Sequence, residues 1–287
     1  MTYGTPTALR MALEQRLHSR SAATGVALDR LRRRVIFERA VTRLQSSEPG
    51  RWVLKGGMAL EVRLGDAARL TQDIDLGLRD DVADAESLRQ RVIDAISVDR
   101  AGDGFMLTTG PPSRLTEDGG GQPTWRLSVA AALAGKPFGG VKVDVSPRTH
   151  ELTATDRLAL PNSLDFAGIT TPVIEIVALP RHAAEKFHAL LRDFGDRENT
   201  RVRDLVDLVI LIERDLLRPP TVATAVLQVW SERDGAPPPV ALPELPRSWP
   251  DRYEALAIEL GLGAASFPAA VALVAGLWTE LFPTQET

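Results

Sequence analysis

The chain has 287 residues, 44% hydrophobic and 25% charged, with 34 basic residues against 38 acidic ones and a net charge of −4. That length and balance suit one large or two modest globular domains with sizeable cores, and exclude a strongly basic, non-specific nucleic-acid binder. The absence of cysteine excludes disulfides, thiolate catalysis and Cys-ligated zinc.

Residues 7–46 read as helical, with Leu9, Leu13 and Leu17, then Leu28, Leu31, Val35 and Ile36 at helical spacing, broken or bent at Gly25. Residues 1–43 carry nine arginines against three acids, Glu14, Asp29 and Glu38, and are densest at Arg30-Leu31-Arg32-Arg33-Arg34. Such a run is either a solvated helix face with ion pairs or a contact surface for an RNA backbone or an incoming triphosphate. A turn at 46–50 leads into WVLKGGMALEVRLGDAARLTQDIDLGL, residues 52–78. This stretch reads as a short strand, a Gly-Gly turn, a short helix, a loop and a second strand. Strand residues alternate faces, so Asp73 and Asp75 share one side while Ile74 enters the core. Two carboxylates so placed are costly without a cation between them. Gly56 and Gly57 let backbone N–H groups approach a phosphate.

Residues 82–97 form an amphipathic helix, 105–108 a short strand and 113–123 a flexible loop. Strands at 125–133 and 141–145 are joined by AGKPFGG, which has hairpin-turn chemistry. Val141, Val143 and Val145 share the core face, so Asp144 faces the other side, as Asp73 and Asp75 do on a neighbouring strand. Taken alone, Asp144 also suits an ordinary solvent-facing position. Residues 180–194 form a helix with Lys186 off its apolar stripe. A further helix opens at Arg201 and buries Leu205, Leu208, Val209 and Ile212. The proline-rich 234–250 is an extended connector, and helices near 251–261 and 267–281 complete the packing. The four histidines, His18, His150, His182 and His188, show no zinc spacing and none is assigned to catalysis. The N-terminus lacks an apolar signal core, and the runs at 208–212 and 269–278 are too short to cross a bilayer. A cytoplasmic protein without membrane contact is expected.

Nucleotidyl transfer needs an in-line hydroxyl and a neutralised pyrophosphate. One or two Mg²⁺ (or Mn²⁺) ions on Asp73, Asp75 and Asp144 would supply both, with Lys55 or Lys186 covering the triphosphate. The order strand, Gly-Gly, helix, about fifteen residues, Asp-x-Asp strand and later valine-flanked Asp resembles the polymerase-β-like nucleotidyltransferase superfamily. More closely, LKGGMALEVR, RLTQDIDL, EKFHALLR and RVRDLVDL, with LPELPRSWP beyond them, resemble the AbiEii-type toxins, including the MenT-like nucleotidyltransferases. The similarity covers roughly residues 50–212.

The resemblance implies a nucleotidyltransferase toxin of a type IV toxin–antitoxin pair that adds nucleotides to the 3′ acceptor end of tRNA and stops translation. It puts metal ligands on Asp73, Asp75 and Asp144, the family's lysine on Lys186 and its later aspartate on Asp207, ahead of Asp204. Without it, Lys186 reads as a surface lysine and Asp207 as an ion-pair partner of Arg203. Thr71 would be a phosphorylation site through which a cognate antitoxin acts, or else a plain turn hydroxyl. The expected fold is α/β: a mixed-sheet nucleotidyltransferase core over 1–170, then a mainly helical half over 171–287, with the active-site cleft between them. Two alternatives keep other targets or none: transfer to a protein hydroxyl or a small molecule, and a non-catalytic nucleotide-binding module. No base-reading residues are visible, so CTP, UTP, GTP and ATP all remain open as the NTP.

Overall fold

A computed structural model describes residues 3–69, 71, 73–115, 123–147, 152–193, 195 and 198–283. The chain forms two compact units, one from 1–63 and 70–176, the other from 64–69 and 177–287.

The first unit begins with α1 (Pro6–Thr24), capped by the Thr5 hydroxyl, which accepts from Ala8 N, and ended by Gly25 at φ 73°. Its stripe of Leu9, Leu13 and Leu17 is buried, each side chain contributing about 1.5–3 kcal/mol by leaving water. Then follow α2 (Leu28–Ser47), β1 (Trp52–Lys55), α3 (Gly56–Leu64), β2 (Asp73–Leu78), α4 (Ala85–Ser97), β3 (Phe105–Thr109), β4 (Ser113–Arg114), β5 (Trp125–Leu133), β6 (Lys136–Pro147), β7 (Thr155–Ala159) and β8 (Val173–Val177). The strands make one sheet in the order β3-β5-β6-β2-β1-β8-β7, with β4 paired to β5. It is mixed: β2 runs parallel to β6 and β1 parallel to β8, while β1/β2, β3/β5 and β5/β6 are antiparallel. The α/β mixed-sheet expectation is met.

Several local expectations change. The β5–β6 turn is only Ala134-Gly135, at φ 53° and 70°, the left-handed pair that matches strand twist. The rest of AGKPFGG is already strand, so β6 runs to 12 residues. Part of the expected 113–123 loop is β4, and 116–122 lie outside the described residues. β7 and β8 were not anticipated, although Val173-Ile174-Glu175-Ile176-Val177 alternates as a strand should. Most of the N-terminal arginines serve the fold. Arg10 donates to the carbonyls of Leu133, Lys136 and Pro137 at 2.8–2.9 Å, clamping the β5–β6 turn. Arg32 pairs with Glu14 at 2.8 Å. Arg43 is buried and donates to Asp103, Ile96 O and Phe105 O, each at 2.7 Å.

The second unit holds α5 (Leu179–Leu191), α6 (Val202–Glu213), α7 (Pro219–Asp234), α8 (Pro250–Leu260) and α9 (Phe267–Leu281). α5 stops at Leu191 because Arg192 is extended and the Asn199 amide donates to the carbonyls of Ala189 and Leu190. The helix was expected to reach Phe194, which lies outside the described residues. Phe187 and Trp230 pack against Trp278 with tilted rings, their centroids 5.0 and 5.8 Å from its own. The proline-rich connector is tied down twice by indole N–H groups: Trp278 donates to Pro239 O and Trp249 to Asn199 O. Among the described residues, no helix is long and apolar enough to cross a membrane.

Candidate active site

On β2, Ile74 and Leu76 are buried while Asp73 and Asp75 keep partial exposure, so the alternation places both carboxylates on the face away from the core. Register then gathers the rest. Lys55 on β1 is the cross-strand partner of Asp75, Asp75 is the partner of Asp144 on β6, and Asp144 is the partner of Arg126 on β5. Residues opposite one another share a face, so four adjacent strands carry one row: Lys55, Asp75, Asp144, Arg126. Asp73 stands one step along β2, opposite Lys142, which is exposed on that face.

Arg126 binds Asp144 side-on, Nε to Oδ1 at 2.7 Å and Nη2 to Oδ2 at 2.6 Å, and its Nη2 also reaches Asp73 Oδ2 at 3.2 Å. These bonds with Asp144, and the nearby charges of Asp73 and Asp75, raise the guanidinium pKa well above its ordinary value, outweighing desolvation. Arg126 was not singled out in the sequence. Leu127 and Val129 on the core face would have shown it pointing the same way as Asp144.

Gly56 and Gly57 open α3 directly after β1. Gly56 has φ 60°, and a Cβ built there would lie 1.9 Å from Asp75 Oδ2. Its first task is therefore to make room for a site carboxylate, whatever phosphate contact it also offers. Thr71 Oγ1 lies 3.5 Å from Asp73 O. Thr71 also lines a narrow crevice with Arg30, Arg33 and Arg34 of α2 and with Ile74 and Val141. Ile74 points away from its neighbours Asp73 and Asp75, so this crevice opens on the opposite face of β2 from the carboxylates.

Lys186 and Asp207 belong to the second unit, and there they are joined. Lys186 is buried, not off the packed face as its spacing suggested, because α6 covers it. Its Nζ donates to Asp207 Oδ2 at 2.5 Å and to Asp204 Oδ1 at 3.0 Å. Arg69, which the sequence did not flag, grips the same carboxylate, Nη2 to Oδ2 and Nε to Oδ1, both at 2.8 Å. Asp207 is thus held by Lys186 and Arg69, in place of the Arg203 pair that spacing allowed. Burial alone would raise the Asp207 carboxyl; the two cations overcome it and hold the pKa below the usual range. Burial likewise opposes charge on Lys186, but Asp207 and Asp204 raise its pKa. His188 is occupied by Asp234 at 2.9 Å and by the Trp230 ring.

Hard carboxylate oxygens on one sheet face suit Mg²⁺ or Mn²⁺ in chemistry, and two of the three acids already share one cation, the Arg126 guanidinium. Among the described residues, no three acid or histidine side chains are gathered as a metal cluster. The donor chemistry suits such an ion, but the three carboxylates are not drawn together around one point, and Arg126 bridges two of them.

A mixed sheet with two carboxylates on one strand and a third on its parallel neighbour, entered through strand, Gly-Gly and helix, is the frame of a nucleotidyltransferase. The family comparison agrees over most of the chain. Residues 39–273 match the AbiEii nucleotidyl transferase toxin of type IV toxin–antitoxin systems, and the protein belongs to that family. Among solved structures, it is similar in fold to MenT4, a nucleotidyltransferase toxin from Mycobacterium tuberculosis H37Rv, with TM-score 0.54 and 22% identity over 93% of this chain and 86% of that one. JHP933 from Helicobacter pylori is a looser likeness, TM-score 0.43 and 16% identity over 85% and 88% of the two chains. No curated protein matches the chain.

Proposed function

We propose that this toxin is a Mg²⁺-dependent enzyme that transfers nucleotides from an NTP to the 3′ acceptor end of tRNA and so blocks translation. The observation that carries the reading is the single row Lys55, Asp75, Asp144 and Arg126 across four strands, with Asp73 beside it.

Asp73, Asp75 and Asp144 would hold Mg²⁺ or Mn²⁺. Such an ion neutralises charge on the triphosphate and lowers the pKa of an attacking hydroxyl. The protein's own part is positioning and charge. Lys55, in register with Asp75, and the N–H groups at Gly56 and Gly57 offer contacts to the phosphates. Lys186 and Asp207 stand where the resemblance puts the family's lysine and later aspartate, and we assign both to the reaction, Lys186 as a fixed positive charge. The arginines lining the Thr71 crevice would take RNA phosphates. An antitoxin partner follows from the family, and Thr71 is the hydroxyl we assign to its phosphorylation: a phosphate in its crevice would pair with the arginines there and take the place of an RNA phosphate. A cytoplasmic location belongs to the same proposal.

The test is label transfer. Total tRNA, cell protein and a small-molecule extract are each incubated with the enzyme, Mg²⁺ and one α-labelled NTP at a time, beside Asp73→Asn and an EDTA control. Label on tRNA with one or two of the four nucleotides, lost in both controls, is expected. Label confined to protein or to a small molecule would move the target. Triphosphate binding without transfer to any acceptor would make this chain a nucleotide-binding module.

A further inference from the structure

We propose that Arg126 is a resident counter-cation that competes with the divalent ion for Asp73 and Asp144, and so sets how readily metal alone can bind. This rests on reading the three carboxylates as metal ligands.

The geometry carries it. Both oxygens of Asp144 are engaged by Arg126, and the same Nη2 reaches Asp73 Oδ2. The Asp144 side chain is 9% exposed and that of Arg126 27%, so the bidentate pair is largely shielded and stronger than a surface bridge. Without Arg126, register would leave Asp75 and Asp144 side by side on adjacent strands with Asp73 one step away, an arrangement that a cation must neutralise. Arg126 supplies that charge at Asp144 and Asp73, while Lys55 stands in register with Asp75. A divalent ion seeking the same oxygens meets a guanidinium within a few ångströms and must loosen it. An ion arriving with a triphosphate brings negative charge that the displaced guanidinium can face; an ion arriving alone does not. Arg126 thereby favours loading of metal together with nucleotide. A residue that only positions Asp144 predicts the reverse, since removing it would disorder a ligand and weaken metal binding.

The experiment titrates Mn²⁺ alone, without nucleotide, into the full chain and follows free Mn²⁺ by electron paramagnetic resonance. The variants are Arg126→Gln, Arg126→Lys and Asp144→Asn. Arg126→Gln is expected to bind Mn²⁺ about ten-fold more tightly than the unaltered protein. Arg126→Lys, which frees one Asp144 oxygen but keeps a charge, is expected to gain about three-fold. Asp144→Asn should bind less. Melting in EDTA and in Mn²⁺ gives a second reading: the gain from Mn²⁺ should be larger in Arg126→Gln than in the unaltered protein. Should Arg126→Gln fail to fold without metal, Arg126→Lys carries the prediction. Unchanged or weaker Mn²⁺ binding in the Arg126 variants, with Asp144→Asn impaired, overturns the competition and leaves the metal ligands standing. Binding that ignores Asp144→Asn, or is absent throughout, overturns the ligand reading and this inference with it.

Discussion

Gly56, the first residue of α3, lies against Asp75 on the neighbouring strand β2: a Cβ on Gly56 would sit 1.9 Å from Asp75 Oδ2 and 2.7 Å from its carboxyl carbon. The glycine pair and the Asp-x-Asp, separate motifs in the sequence, are therefore one device, in which a missing side chain gives a carboxylate its place.

Gly56→Ala should accordingly do two kinds of harm. The left-handed backbone at φ 60° costs an alanine about 1–2 kcal/mol, and the clash moves Asp75 as well. Melting should fall by a few degrees and transfer activity by more than ten-fold. Unchanged activity in a folded variant would separate the two motifs again.

The carboxylates were legible because a strand has period two: valines at 141, 143 and 145 settle where Asp144 points, and Ile74 does the same for Asp73 and Asp75. The same rule reaches Arg126, whose neighbours Leu127 and Val129 are buried, but a lone arginine on a strand advertises no chemistry. Lys186 was legible only as a family match. Its burial depends on α6 lying against α5, a tertiary fact with no local pattern. Arg69 was hidden more deeply, in a connecting stretch more than a hundred residues from the carboxylate it holds. β7 and β8 were missed although the alternation of β8 is plain.

The Lys186–Asp207 pair separates structure from chemistry. Lys186→Met leaves Asp207, fully buried, short of one of its two cations, at a cost of about 3–5 kcal/mol. Lys186→Met with Asp207→Leu removes both charges and should recover part of that stability. Transfer activity should not return in the double variant, because the charge assigned to the reaction is still missing. Recovery of both melting temperature and activity would reduce the pair to a packing element.

Glu38 should give the first unit a pH dependence. It is fully buried on α2 and accepts from Ser163 N at 2.7 Å and Ser163 Oγ at 2.9 Å. Burial pushes its carboxyl from 4.5 up to about 7, against the weaker opposing pull of Ser163, Arg39 and Arg34. The folded protein therefore holds this proton more tightly than the unfolded chain. Its contribution is complete below pH 4.5 and is lost as pH rises through about 7. Between pH 5 and 8 the melting temperature should fall further in the unaltered protein than in Glu38→Gln. Parallel curves would contradict this.

Arg33, half-buried beside Thr71, should act on RNA capture alone. Arg33→Glu is expected to weaken tRNA binding and lower its salt slope by about one, with nucleotide binding unchanged. An unaltered slope would return this crevice to the fold.

The most direct measurement compares intact tRNA with tRNA whose 3′-terminal ribose has been opened by periodate, each incubated with the enzyme, Mg²⁺ and α-labelled NTP, with Asp75→Asn alongside. The proposed function predicts label on intact tRNA, none on the oxidised tRNA, and none with the variant. Equal label on both tRNAs, or none on intact tRNA from a protein that binds the triphosphate, would contradict transfer to the 3′ end.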